Sequence, residues 1–558
     1  MKKVFAAAFV FGLGSFFAHA ADMPVAPPIP VAVWSWTGLY IGGHVGAGFG
    51  SSHFTDPAGA AIYGNTIWTE AVLGGVQAGY NWQIPNTAFV IGAEADASAM
   101  GADGSMTCRA ISGFFFSANC RVRPEAVGNL TGRVGYAIGP GGRSLIYAKG
   151  GLAWMEDRID ITTNGFLPIA NTMTSLEGAR WGWTAGAGID RALTPAWSLR
   201  LEYDYAKFGD LSMATPSSAT QQGLFGPYFL TAGSTASVSQ TMQTVKFGLN
   251  YKIGEDMYAR WAPPPGDYNL KGAYIPDAEI EVGGRVWYSN GRFQKDLGGF
   301  NPSQSNMLIS RLAYESTGTT GEVFGRMDTV SNIFVKGLIG GGKLLSGNMH
   351  DEDWLFDDGI AYSNTASSVK GDLAYATFDA GYSVFRGPSA NVGAFIGFNY
   401  YRENKTAYGC TQIANPVICV PTIPNSVPGI TEDDKWYSFR LGINGVVTIW
   451  DRLKLTADAA YLPFVAFRGT DNHLQRTDVS DTISPETGGG QGVQLEAILS
   501  YAFADCFNVG LGGRYWAMWA PGGNTDAFSQ GGPPQTMPVR TERYGAFVQA
   551  SYKIGGLK

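Results

Sequence analysis

Trp197-Ser198-Leu199-Arg200-Leu201-Glu202-Tyr203-Asp204-Tyr205 alternates without a break between apolar or aromatic residues and polar or charged ones. Successive side chains of an extended strand point to opposite faces. This run therefore has one apolar face and one face holding Ser198, Arg200, Glu202 and Asp204. The same period of two recurs in Trp181, Trp183, Ala185, Ala187 and Ile189 against Gly182, Thr184, Gly186 and Gly188. It returns in Val245, Phe247, Leu249, Tyr251 and Ile253 against Lys246, Gly248, Asn250 and Lys252. A soluble sandwich and a membrane barrel both alternate. Here the apolar faces end in aromatics and the opposite faces carry small and charged residues, which suits lipid on one side and a polar lumen on the other.

Working outward, residues 1–20 read as a secretory signal. Lys2 and Lys3 precede an apolar run from Val4 to Phe17, and Ala18-His19-Ala20 is a small-residue cleavage site that would leave Ala21 first. No later stretch supplies the roughly 18 consecutive apolar residues of a membrane helix. With 76 glycines, 13% aromatics and a net charge of −7, the averages fit alternating strands. They offer no basic footprint for nucleic acid.

Residues 21–253 are expected to make eight strands and residues 280–558 ten. Between them, residues 254–279 break the alternation: Trp261-Ala262-Pro263-Pro264-Pro265-Gly266-Asp267 cannot join a ladder, because proline lacks the donor hydrogen. The expected fold is all-β, with two transmembrane antiparallel β-barrels in tandem. The competing reading is a single eighteen-stranded porin.

Charged residues make up only 15% of the chain, yet His350-Asp351-Glu352-Asp353 puts four polar ionisable groups side by side. A second run, Gly469-Thr470-Asp471-Asn472-His473, lies about 120 residues on. Asp351 with Asp353, and Asp471 with His473, are spaced at i and i+2, so each pair shares a face of extended backbone. The first run follows the expected third strand of the second barrel, Asn332–Leu345, and the second follows the expected seventh, Leu453–Phe467. Strands three and seven lie four apart in a ring of ten, so the runs would face each other across the outer mouth. An Asp–His pair opposite two carboxylates can hold and activate water. The bland alternatives are a solvated acidic loop, a weak calcium site at Asp351–Asp353, and an ordinary rim histidine at His473.

The cysteines suit an oxidising compartment. Cys108 and Cys120 flank one expected outer loop and Cys410 and Cys419 another, giving two candidate disulfides with Cys506 left over. The histidines and cysteines show no zinc-site spacing.

Two resemblances follow. Trp34-Ser35-Trp36-Thr37-Gly38-Leu39-Tyr40-Ile41-Gly42-Gly43 and Val245-Lys246-Phe247-Gly248-Leu249-Asn250-Tyr251 resemble the first and last strands of the small immunogenic outer-membrane proteins of alphaproteobacteria. That family has no catalytic motif to carry over. The second half resembles the omptins, ten-stranded outer-membrane endopeptidases, through Asn348-Met349-His350-Asp351-Glu352-Asp353-Trp354 and Asp471-Asn472-His473. Weaker similarity runs along Gly393-Ala394-Phe395-Ile396-Gly397-Phe398. The resemblance implies an aspartic-type endopeptidase in a Gram-negative outer membrane that cleaves peptides or proteins at the cell surface. In it, Asp471 and His473 would form the activating dyad and Asp351 and Asp353 the opposing pair around a water nucleophile. No cofactor is implied apart from a dependence on lipopolysaccharide, for which Arg402 alone falls on the expected outer cluster. The sequence departs from omptins that prefer basic substrates: Gly469 stands where they carry an acid, and their other specificity acid has no clear counterpart around Asn290–Lys295. A non-catalytic structural or adhesive barrel is the other function class.

Overall fold

Alternation closes into two rings. The computed structural model describes residues 34–55, 66–102, 104–110, 116–163, 173–215, 218–221, 228–231, 235–257, 278–298, 308–353, 363–387, 389–413, 419–529 and 534–554. The expected signal, Trp354 and most of the proline-rich linker lie outside them.

The first ring consists of β1 (Gly38–Thr55), β2 (Thr66–Gln83), β3 (Phe89–Met100), β4 (Phe116–Ile138), β5 (Ser144–Thr163), β6 (Met173–Ala192), β7 (Trp197–Ala214) and β8 (Thr235–Lys252). Each pairs antiparallel with its neighbours, and β1 closes on β8 from Tyr40↔Lys252 to Thr55↔Ser237. Gly104–Ala110 adds a short arm to β4. The nonapeptide at residues 197–205 is the start of β7. Its Arg200, Glu202 and Asp204 are buried while Tyr203 is exposed, as are Trp181 and Trp183 on β6. Burial is thus inverted relative to a soluble protein. Eight strands enclose a lumen only wide enough for side chains, and ion pairs fill it. Lys149 reaches Glu202 at 2.7 Å, Lys246 reaches Asp96 at 2.7 Å, and Arg200 joins Asp190 at 2.9 Å.

The second ring consists of β9 (Ala278–Gly298), β10 (Leu308–Thr329), β11 (Ile333–Asp353), β12 (Ser363–Gly387), β13 (Ala390–Gln412), β14 (Ile423–Trp450), β15 (Leu453–His473), β16 (Ile483–Ala502), β17 (Phe507–Ala520) and β18 (Val539–Ile554). It closes through β9 and β18, Ile280↔Ile554 to Lys295↔Val539. The two rings are separate sheets, so a single eighteen-stranded ladder is not formed.

Connections at one end of this ring are short (330–332, 388–389, 451–452, 503–506), and those at the other are long (299–307, 354–362, 413–422, 474–482, 521–538). That asymmetry is the mark of an outer-membrane barrel, whose long loops face outward. Val286, Ile339, Phe378, Ile396, Phe398 and Ile443 turn apolar side chains outward nearer the short-turn end, and Tyr288 and Phe464 do so about midway along their strands. The strands run 14 to 28 residues, more than the roughly 9–11 that span a bilayer. The surplus stands above the apolar band as a raised rim.

The rim corrects the expected strand ends. The third strand runs to Asp353 rather than Leu345, and the seventh to His473 rather than Phe467. Likewise β14 begins at Ile423 rather than Trp436. The two chemical runs are therefore ladder segments and not loops. Asp351 is paired with Leu312 and Thr365, and Asp471 with Glu432 and Ser484. Charged residues end an alternation pattern in sequence, but they do not end a ladder that has neighbours on both sides.

Cys410 and Cys419 form a disulfide with a Cα–Cα separation of 5.7 Å, and Cys506 is free. Cys120 is disulfide-bonded; the side chain of Cys108, its expected partner, lies outside the described ones. Leu199 and Trp197 pack with Ala390, Val447 and Phe385, and Phe49 meets Tyr515 and Tyr544 at 5.7 and 4.5 Å between ring centroids. The barrels thus lie side by side at matching heights.

Candidate active site

The site stands clear of the membrane band. On β9 the last exposed large apolar side chain is Tyr288, and on β15 it is Phe464. Lys295 and His473 follow seven and nine residues later, roughly 20–30 Å along the strand. Beneath them the lumen is closed by buried rings, among them Trp287, Phe293, Tyr314, Tyr375, Tyr401, Trp436, Phe467 and Trp516. Lys405 lies 3.7 Å from the Phe293 ring centroid and also bonds Asp434. A floor of this kind makes the mouth a dead-end recess.

Within the recess His473 Nε2 meets Asp471 Oδ2 at 3.0 Å. Asp471 is nearly buried, whereas 21% of the His473 side chain remains exposed, so the imidazole is the member of the pair open to solvent. Phe528, from the connection between β17 and β18, packs edge-on against it at 5.4 Å. Across the mouth, Asp351 and Asp353 lie close enough to feel the His473 charge. The structure therefore brings together all four residues of the two runs.

Their electrostatics diverge. Desolvation in the crowded recess, then repulsion from Asp353, pushes Asp351 well above the usual carboxylate range. Desolvation raises Asp353 as well, with Ser310 opposing through a hydrogen bond. Burial would also raise Asp471, but the Lys295 ammonium and then His473 outweigh it and hold that carboxyl low. Burial would lower His473; the Asp471 carboxylate overrides it, and the imidazole is raised. Protons are thus favoured on the Asp351 side and the anion at Asp471.

Three residues of this site carry no motif. Lys295 Nζ donates to Glu432 Oε2 at 2.5 Å, Glu486 Oε1 at 2.6 Å and Asp471 Oδ2 at 2.8 Å. The carboxylates of Glu432, Asp471 and Glu486 lie within 4.8 Å of one another, and the Lys295 ammonium fills the position where a cation would sit. Gly469 explains how Glu486 fits. The two residues are cross-strand partners, and a Cβ at Gly469 would come 2.5 Å from Glu486 Oε2. The acid absent at position 469 is replaced in space by one from the next strand. Sequence alone does not reveal this, because it depends on the register of β15 against β16.

Arg402, on β13, sits outside this recess. It forms a two-point ion pair with Asp433 at 2.6 and 3.1 Å, and Lys435 joins the same carboxylate at 2.9 Å. Tyr400 and Tyr437 meet at a tilt, 5.3 Å between ring centroids.

Comparison with known proteins separates the halves in the same way. The outer membrane protein beta-barrel domain family matches residues 8–252, and the Omptin family matches residues 308–528. The 31 kDa outer-membrane immunogenic protein of Brucella melitensis is 31% identical over 266 residues, which is 45% of this chain and 100% of that protein. The 22 kDa outer membrane protein of Rhizobium leguminosarum is 29% identical over 37% of this chain and 77% of its own length. Among solved structures, the outer membrane protease OmpT from Escherichia coli aligns with 51% of this chain and 99% of its own at 14% identity, with a TM-score of 0.42.

Proposed function

This chain belongs, through its first barrel, to the family of the 31 kDa outer-membrane immunogenic proteins of Gram-negative outer membranes, and from that footing we propose that its second, omptin-like barrel is a surface endopeptidase. The observation that carries this reading is the His473–Asp471 pair at 3.0 Å, facing Asp351 and Asp353 at the long-loop mouth. In the proposed reaction His473, through Nδ1, takes a proton from a water molecule that attacks the peptide carbonyl. Asp471 holds the ring and stabilises its cation. Asp351, whose carboxyl is raised well above the usual range, would hydrogen-bond the carbonyl oxygen, with Asp353 sharing its proton, and His473 would return the proton it took from water to the leaving amine. No acyl-enzyme forms. Arg402, Lys435, Tyr400 and Tyr437 would offer a lipopolysaccharide headgroup charge and ring faces on the outer wall.

The test is a peptide screen on refolded protein, with and without lipopolysaccharide, on the parent and His473→Ala. Turnover should vanish in the variant while the barrel stays folded, because the ladder is held by backbone hydrogen bonds that a rim side chain does not make. Equal cleavage by parent and variant would leave the non-catalytic surface barrel as the better reading.

A further inference from the structure

Lys295 precedes the residues matched by the Omptin family. Its ammonium has three hydrogens, and each meets a carboxylate from a different strand: Glu432 on β14, Asp471 on β15 and Glu486 on β16. The oxygen it reaches on Asp471 is Oδ2, the same atom that His473 Nε2 bonds. One buried cation therefore touches the atom that orients the imidazole. Gly469 leaves room for Glu486 to complete the arrangement.

We propose that Lys295 is the positioning residue of the dyad: a tethered ammonium that fixes Asp471 Oδ2 against His473 and occupies a three-carboxylate cage. This rests on the endopeptidase reading of the same site. Three carboxylates within 4.8 Å of one another cannot all stay ionised without a cation among them. With Lys295 present, Asp471 remains an acceptor for the imidazole. Without it, a proton is shared among Glu432, Asp471 and Glu486, and Asp471 no longer presents a fixed anion. It follows that truncating Lys295 leaves a cage that fits a small primary ammonium.

The experiment uses the full chain, refolded with lipopolysaccharide, as parent, Lys295→Ala, Lys295→Met and Lys295→Arg, with folding read by heat-modifiable gel migration. Lys295→Ala should lower peptide turnover by about 10²-fold, the scale of a small misplacement of a catalytic group. Added n-propylammonium chloride should restore most of that loss, and sodium chloride at equal strength should not. Lys295→Met, which fills the space without charge, should stay low with or without amine, and Lys295→Arg should exceed it. Parent-like turnover in Lys295→Ala, indifference of that variant to the amine, or equal rates in Lys295→Arg and Lys295→Met would each overturn the proposal. If Lys295→Ala does not fold, the comparison of Lys295→Met with Lys295→Arg decides. If the parent cleaves no peptide, the endopeptidase reading falls by itself. Calorimetric titration of propylammonium into Lys295→Ala then decides the cage: binding heat absent from the parent, and lost again on adding Asp471→Asn, sustains it, and no heat overturns it.

Discussion

His473 can accept a proton only when neutral, and its surroundings oppose that. The Asp471 carboxylate raises the imidazole above its ordinary value, near 6.5, so the cation persists to higher pH. The rate should accordingly climb along a limb displaced to the alkaline side of a free imidazole. The same raised value means that the dyad's contribution to stability is present below about pH 6.5 and is lost as pH rises through the folded value. Asp471→Asn removes the anion. The limb should move back toward acid while the maximum falls on the order of 10⁴-fold, as when a serine-protease imidazole loses its carboxylate. A pH–kcat/KM profile of both proteins checks this, and a limb unmoved by Asp471→Asn would count against the dyad. The four residues of these runs were legible in sequence because each pair is spaced at i and i+2 in a chain poor in charge. Lys295, Glu432 and Glu486 were not, because nothing local marks them: Glu432 and Glu486 enter by the pairing of Asp471 with Glu432 and Gly469 with Glu486, and Lys295 reaches them across the lumen from β9.

At the level of the strand, β15 shows what alternation can and cannot encode. Its upper part reads cleanly, with Phe464, Ala466, Arg468 and Thr470 exposed and Val465, Phe467, Gly469 and Asp471 buried, whereas Tyr461 and Phe464, three residues apart, both face outward. A register shift lies between Leu462 and Val465 on the β16 side, and the upper part carries Gly469, Asp471 and His473 inward. Gly469→Asp would place a second acid against Glu486, with the new Cβ 2.5 Å from its oxygen and 2.7 Å from the Phe467 ring. Such overpacking costs about 1–3 kcal/mol. Lower turnover and a lower unfolding midpoint are expected, and a fully active, equally stable Gly469→Asp protein would contradict the described packing. On the outer wall the expectation differs. Ile396, exposed on β13 within the apolar band, should tolerate Leu but lose about 2–4 kcal/mol as Arg. Reversible unfolding in lipid vesicles measures that difference.

At the scale of the molecule, two rings side by side share one orientation. Ser144 of the first barrel and the backbone oxygen of Ile449 in the second meet at the short-turn ends, while Phe49 meets Tyr515 and Tyr544 further up. One bilayer can therefore hold both. Tandem closure was readable from the proline-rich break and from two terminal strands that each end an alternating series. The extent of the rim was not, since strand length above lipid is set by neighbouring strands. Both lumens are blocked, one by ion pairs around Lys149 and Lys246 and the other by rings and buried charges above a cavity of about 350 Å³ at its short-turn end. Planar-bilayer recordings should accordingly show no large, steady conductance.

Each ring also closes on its own first and last strands, β1 with β8 and β9 with β18, so no ladder hydrogen bond crosses between them. What joins them is covalent linkage and outer-wall contact, chiefly apolar side chains that would otherwise meet lipid, with Ser144 donating to the Ile449 oxygen and Arg292 to the Trp68 oxygen. Because lipid tails replace such contacts at little cost, separating the barrels should leave both folded. Residues 278–558, exported behind the chain's own first 20 residues, should form a heat-modifiable barrel and keep the peptide turnover of the full chain within a few-fold. The argument turns on distance: His473, Asp471 and Lys295 stand on the rim of the second ring, and their hydrogen-bond partners all belong to it. A separated second barrel that folds but loses turnover would mean that the first barrel contributes to substrate capture or to holding the rim. Restoration on adding back residues 1–257 would then assign it that role.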